Sequence, residues 1–140
     1  IRTNTSMKVC RRETFNAAHR LFVEGWTDEK NRSVFGKCSN PNYHGHNYIL
    51  ETWVEGAIDP LTGYVFDLGE LKEIIRKEVS HRFDHRNLNL DCPEFAGKNP
   101  TAENIAVVIW NLLRKSLPEH LKLSVRLSET ENNWVEYDGH

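Results

Sequence analysis

The feature that most constrains the fold is a change of hydrophobic period along the chain. Near both ends of the sequence, apolar residues recur at every second position, which is typical of strands that bury one face. Between these segments, two stretches place apolar residues three and four positions apart, as amphipathic helices do. A chain of 140 residues with this pattern predicts one α+β domain in the order ββααββ. Its simplest packing is a four-stranded antiparallel sheet with two helices on one face.

The strand predictions rest on alternation of apolar and polar side chains. The clearest case is residues 121–128, where every odd position is Leu or Val and every even position is Lys, Ser or Arg. A proline and a glycine at residues 59–63 predict a turn, after which a further short strand is expected over residues 64–66. The four main predicted strands cover residues 8–18, 46–56, 121–128 and 134–137, and the last of these is predicted from the turn residues Glu131-Asn132-Asn133 that precede it.

Capping residues indicate where the two helices begin. Asp67 can cap the first helix, with Glu70 in the reciprocal position three residues later. Thr101, which follows Pro100, can cap the second helix, and Pro118 closes it. Residues 20–43 hold many charges together with Gly25, Gly36 and Pro41, so they are expected to form a long loop, of the kind that is usually functional or mobile.

The composition excludes several classes of protein. A net charge of −2 without a basic patch argues against nucleic acid as the main partner. No apolar run approaches the ~20 residues that a membrane helix needs, and no signal-peptide pattern is present. The three cysteines, Cys10, Cys38 and Cys92, are irregularly spaced and do not form a disulfide framework. A reducing cytoplasm is therefore the expected location.

The sequence shows no internal domain boundary. Residues 1–6 precede the only methionine, Met7, and are expected to be a cloning remnant. Residues 7–140 are then a single domain.

The segment FGKCSNPNYHGHNY, residues 35–48, raises the question of a metal site. His44 and His46 share a face if the strand has begun by His44, since alternate side chains point the same way. His19 ends the neighbouring predicted strand and is the natural third ligand for a zinc ion with an open position. A structural Cys-His zinc site is disfavoured because no C-x-x-C pair exists. On the residues alone, a solvated polar loop remains the alternative.

Four other residues carry candidate chemistry, each with a simpler alternative. Cys38 is a base or nucleophile if a nearby cation lowers its pKa, and otherwise an ordinary free thiol. Asp84 and His85 could relay a proton as a couple, or be hydrated separately. Glu129 continues the apolar parity of residues 121–127, so its carboxylate needs either water or a partner. A heterocycle with two adjacent N–H groups would be such a partner.

These residues lie in six motifs that together resemble the 6-pyruvoyl-tetrahydropterin synthase family. The resemblance covers essentially the whole chain after Met7. The motifs are F-x-A-A-H-R at 15–20, F-G-K-C-x-N-P-N-x-H-G-H-N-Y at 35–48, I-D-P-x-T-G at 58–63, D-H-x-N-L at 84–88, P-T-x-E-N at 100–104 and E-T-x-N-N at 129–133.

The resemblance implies roles for these residues. It implies a zinc ion as cofactor, a proton-transfer set beside it, and a carboxylate that anchors the pterin ring with help from a threonine. The implied metal ligands are His19, His44 and His46, the implied catalytic residues Cys38, Asp84 and His85, and the implied substrate-binding residues Glu129 and Thr101.

The family also implies the tunnelling fold, in which three subunits join their sheets into a barrel, two trimers stack into a homohexamer, and active sites lie between subunits. The implied lyase reaction converts 7,8-dihydroneopterin triphosphate to 6-pyruvoyl-tetrahydropterin and releases triphosphate, without nicotinamide or flavin. Two alternatives stay open. One is the sister 6-carboxy-tetrahydropterin synthase activity of deazapurine biosynthesis, which the longer segment between Cys38 and His44 disfavours. The other is a non-catalytic pterin-binding protein.

Overall fold

The first strand and the second strand form a long hairpin-like pair that carries the rest of the sheet. The computed structural model describes residues 5–140. Of the predicted remnant, residues 1–4 lie outside that range, whereas Ser6 is the first residue of β1. The elements are β1 Ser6–His19, α1 Asp28–Phe35, β2 His44–Ala57, α2 Leu68–Ile75, α3 His81–Phe83, β3 Arg86–Asn87, α4 Ala102–Ser116, β4 Lys122–Ser128 and β5 Trp134–Tyr137.

The sheet has five strands in the order β3-β1-β2-β4-β5, so the prediction of a four-stranded antiparallel sheet was wrong. The four main strands pair antiparallel, but β3 pairs parallel with the end of β1. His85 N donates to Asn16 O at 2.6 Å and Leu88 N to Ala18 O at 2.8 Å. Two residues are too few to show a period, which is why the sequence did not reveal β3.

Two further local predictions were wrong. Residues 64–66 form no strand, because Tyr64 O accepts from Asp59 N at 2.8 Å and closes the turn. The expected loop at 20–43 contains α1, whose N-cap is Thr27. This helix is short and polar, so it shows no apolar stripe. It is tied down by Asn31, whose side chain accepts from Val23 N at 2.8 Å and donates to Val23 O at 3.3 Å.

The hydrophobic core fills the space between one sheet face and the helices. Both helices pack there as predicted, and their caps are confirmed. Asp67 accepts from Gly69 N, and Thr101 accepts from Asn104 N. A π-helical segment, Arg76–Ser80, continues α2 into α3. Fully buried core residues include Tyr48, Leu50, Val54, Leu71, Ile75, Ile105, Ile109 and Leu127.

The other sheet face carries rows of alternating charge across the strands. Arg12 pairs with Glu51, Glu51 with Arg126, and Arg126 with Glu136. Opposite charges on directly facing residues favour this register. Among residues 5–140, the structure contains no helix that is long and apolar enough to cross a membrane.

Candidate metal centre and active site

The three predicted metal ligands meet where β1 ends and β2 begins. His19 and His44 are cross-strand partners in the β1–β2 pair, and His46 lies two residues further along β2, on the same face. The Nε2 atoms of His19 and His44 are 2.8 Å apart. The ring of His46 is centred 5.1 Å from that of His19 and 4.9 Å from that of His44. The three imidazoles therefore converge on one point.

A backbone carbonyl sets the orientation of His19. The buried ring places Nδ1 at 2.8 Å from Pro100 O, and since a carbonyl only accepts, Nδ1 carries the proton. Nε2 is then the unprotonated nitrogen that faces the other two rings. Burial lowers the pKa of His19 to about 4, so the ring is neutral at pH 7, the form that binds a metal. The Tyr48 hydroxyl lies 3.4 Å from the same Nδ1.

Glu129 adds a carboxylate to this cluster. Its Oε1 lies 2.9 Å from His46 Nε2 and 3.5 Å from His19 Nε2. One ligand atom from Glu129 and one from each histidine all lie within 4.8 Å of one another. The sequence indicated that a carboxylate at this position needs water or a partner. The structure gives it partners.

The cluster leaves buried polar atoms unpaired, as a cation site would. Within the described part of the chain, His44 Nδ1 and His46 Nε2 are buried without a hydrogen-bond partner. The 2.9 Å contact between His46 and Glu129 lacks hydrogen-bond geometry. Unpaired buried nitrogens are costly, and a cation shared by the rings would give Nε2 of His46 a partner. Imidazole and carboxylate ligands suit zinc, but also other divalent transition metals.

Cys38 lies in a 3₁₀ turn, Gly36–Ser39, beside this cluster. Its carbonyl accepts from Leu21 N at 2.7 Å, which fixes the turn against the end of β1. Burial, and then the negative charge of Glu129, raise the pKa of the Cys38 thiol. The thiol is thus close enough to the cluster to sense its charge, and a bound cation would act on its pKa in the opposite direction.

The Asp84–His85 couple lies next to β1 on the edge where β3 pairs, which is the edge away from β2. Asp84 Oδ2 is 2.9 Å from His85 Nδ1, and Asp84 Oδ1 accepts from Asn16 N at 2.8 Å. The His85 side chain is 81% exposed and its backbone is left-handed at φ 58°. Over residues 5–140, no hydrogen bond or ion pair connects this couple to Cys38 or to the histidines. Within a single chain, the predicted catalytic residues Asp84 and His85 are therefore not in contact with Cys38.

Thr101 and two unpredicted residues complete the surroundings of the cluster. Thr101 Oγ1 accepts from Asn104 N at 3.1 Å as the cap of α4. It directly follows Pro100, whose carbonyl orients His19. Tyr48 continues the strand parity of His44 and His46, so alternation alone could have indicated it. The Pro100 carbonyl is a backbone atom and leaves no signal in the sequence.

Comparison with known proteins decides the family. A family model described as "6-pyruvoyl tetrahydropterin synthase" matches residues 8–140. The chain belongs to this family. It is similar to the 6-pyruvoyl tetrahydrobiopterin synthases of Pongo abelii, at 48% identity, and of Homo sapiens, at 46% identity. Each match extends over 132 residues and covers 94% of this chain and 91% of the relative.

A solved structure of a 6-pyruvoyl tetrahydropterin synthase agrees with the fold. The Caenorhabditis elegans protein superposes with a TM-score of 0.92 at 37% identity, covering 100% of this chain and 99% of the other. The α+β architecture and the subunit fold predicted from the resemblance are thereby confirmed. The prediction of an enzyme, a lyase of the 6-pyruvoyl tetrahydropterin synthase family, is confirmed by the same relatives.

Proposed function

We propose that the chain holds zinc between His19, His44 and His46 and converts 7,8-dihydroneopterin triphosphate to 6-pyruvoyl-tetrahydropterin, with release of triphosphate. The observation that supports this most strongly is the cluster itself, in which three imidazole nitrogens and one carboxylate oxygen lie within 4.8 Å of one another. Zinc, when bound, supplies Lewis-acid chemistry that polarises and acidifies the side-chain hydroxyls of the substrate.

Cys38 is the proposed base that removes a carbon-bound proton. Its turn is fixed by the bond from Leu21 N to its carbonyl, so the sulfur keeps its place beside the cluster. A thiolate is the reactive form. In the structure, burial and Glu129 both favour the protonated thiol, so positive charge at the cluster is needed to generate the thiolate.

Glu129 is the proposed anchor for the pterin ring. A carboxylate accepts two parallel hydrogen bonds from adjacent N–H groups. The Glu129 side chain is 23% exposed, so one edge remains accessible to a ligand while Oε1 faces the histidines. Thr101 is proposed to contribute to binding of the pterin ring through its hydroxyl, which also caps α4.

Asp84 and His85 are proposed to return protons to a neighbouring subunit's site. Their exposure, and their separation from Cys38 within one chain, support a homohexamer built as a dimer of trimers. The outer strands β3 and β5 are sheet edges, and edges of this kind favour pairing with another copy. The expected partners are therefore a small pterin triphosphate and further copies of this chain, with no nucleic acid, in the cytoplasm.

Product analysis tests the proposal. The protein is loaded with zinc, incubated with 7,8-dihydroneopterin triphosphate, and the product is identified by mass. We expect the 6-pyruvoyl product together with one triphosphate for each substrate consumed. A 6-carboxy product would support the sister family instead, and retained pterin binding without product would indicate a binding protein. The variant Glu131→Gln, which changes an exposed residue, is the control for activity lost during purification and assay.

A further inference from the structure

A cavity lined by positive charge lies beside the turn that carries Cys38. Its volume is about 580 Å³, and it is enclosed by α1, the Gly36–Ser39 turn and the residue after β1. Three cations line it, Arg20, Arg32 and Lys37, against a single acid, Asp28. Three positive charges and one negative charge leave this cavity with a formal charge of +2. Nothing in the roles proposed above uses it.

These cations are available to a ligand. Arg32 and Lys37 are exposed, and in the described portion of the protein none of the three cations takes part in an ion pair. The Nε of Arg20 donates to Ser39 O at 2.8 Å, and its guanidinium lies 4.2 Å from the centre of the Phe22 ring. This fixes the group but leaves its terminal N–H donors free to bind two oxygens of a phosphate group.

The walls of the cavity are held together before any ligand arrives. Asn31, buried on α1, makes two hydrogen bonds to the backbone of Val23. Leu21 N donates to Cys38 O at 2.7 Å. Helix, turn and strand end are thereby joined in one frame, which reduces the ordering cost of binding.

The cavity and the metal cluster are built from adjacent residues. Arg20 directly follows His19, and Lys37 and Ser39 directly flank Cys38. The end of β1 and the turn of Cys38, which Leu21 N and Cys38 O join at 2.7 Å, thus contribute residues to both sites, as expected if a molecule that reacts at the histidines extends a charged tail toward Arg20 and Lys37. Resting on the function proposed above, we infer that this cavity binds the triphosphate of the substrate through Arg20, Arg32 and Lys37.

Tripolyphosphate is a direct probe of this site. Its dissociation constant is measured by titration calorimetry on the wild type, on the double variant Arg32→Ala/Lys37→Ala, and on Lys30→Ala. Lys30 is the matched control, because it lies on the same helix but stacks over the Trp26 ring at 4.1 Å and does not line the cavity. Loss of two charge-assisted contacts should weaken tripolyphosphate binding about tenfold or more in the double variant, whereas Lys30→Ala stays near the wild type.

Steady-state kinetics then ties the site to the substrate. The double variant should lower kcat/KM for 7,8-dihydroneopterin triphosphate about tenfold or more, because these cations contact the triphosphate both in the bound substrate and in the transition state that expels it. Tripolyphosphate should inhibit the wild type competitively, and less so at high salt. Non-competitive inhibition, absence of tripolyphosphate binding, or equal kcat/KM in all three proteins would overturn the assignment. Product formation by the wild type is measured independently. The triphosphate assignment can therefore fail while the proposed reaction is still observed.

Discussion

Nδ1 of His19 lies 2.8 Å from the carbonyl oxygen of Pro100, and this contact links the end of β1 to the start of α4. The carbonyl can only accept, so it selects the tautomer of His19 in which Nε2 faces His44 and His46. An orienting partner of this kind is a common feature of metal-binding histidines. The geometry of the cluster therefore depends on the docking of α4 as well as on the two strands.

Cys38→Ala should remove the proposed base while leaving the binding residues in place. We expect kcat to fall by about 100-fold or more, as for loss of a general base, with the dissociation constant for the pterin changed less than about twofold. Stopped-flow turnover and equilibrium binding measure the two quantities. Cys10→Ala is the control. Cys10 pairs with Trp53 and lies on the sheet face opposite to the one that carries the three histidines. Equal losses of rate and affinity would contradict the assignment of a base.

Glu129→Gln should separate pterin anchoring from metal binding. The amide keeps the shape but offers only one acceptor oxygen, so KM for the substrate should rise about tenfold or more. Three histidines remain, so zinc content should stay at one ion per chain. Mass spectrometry of the metal and steady-state kinetics check both values, with Glu131→Gln as the neighbouring control. Loss of zinc with unchanged KM would instead make Glu129 a metal ligand alone.

Asp84 should contribute to folding stability in a pH-dependent way. The hydrogen bond from Asn16 N, followed by the contacts with His85, lowers the pKa of Asp84 from its ordinary 3.8. A carboxyl group with a lowered folded-state pKa stabilises the fold above its unfolded value, and this contribution is lost as pH falls through the folded value. The difference in urea midpoint between wild type and Asp84→Asn should therefore shrink below about pH 3.8. A difference that stays constant with pH would contradict the pKa shift.

Leu50 tests the core under the sheet. Its side chain is fully buried between β2 and the helices, so Leu50→Ala should lower the free energy of unfolding by about 2–5 kcal/mol. Leu61 is 94% exposed in the turn after β2, and Leu61→Ala should change the same quantity by less than about 0.5 kcal/mol. Urea denaturation compares the two. Similar losses in both variants would mean that the core is misplaced.

The parts of the fold that were predictable are those with a long, regular hydrophobic period. Alternation located β1, β2 and β4, the turn signal at residues 131–133 located β5, and capping residues located the starts of α2 and α4. The short strand β3 and the polar helix α1 have no such period. They form through tertiary contacts, such as that of Asn31 with Val23, which a sequence pattern does not report.

The candidate site divides in the same way. His19, His44 and His46 follow from strand parity and pairing, because ends of adjacent strands lie close together. The contact between Glu129 and His46 depends on where the chain turns after β4, so parity gave its face but not its partner. The distance between Asp84 and Cys38 depends on the position of β3, and the cavity near Arg20 depends on α1. Neither element was predicted.

Metal reconstitution tests the central claim most directly. Protein freed of metal by a chelator is titrated with zinc while turnover of 7,8-dihydroneopterin triphosphate and bound metal are both measured. We predict no turnover before zinc is added, a linear rise that ends at one zinc per chain, and no rise for His46→Ala. Full turnover in the chelator-treated protein, or in His46→Ala, would contradict a catalytic metal held by these three histidines.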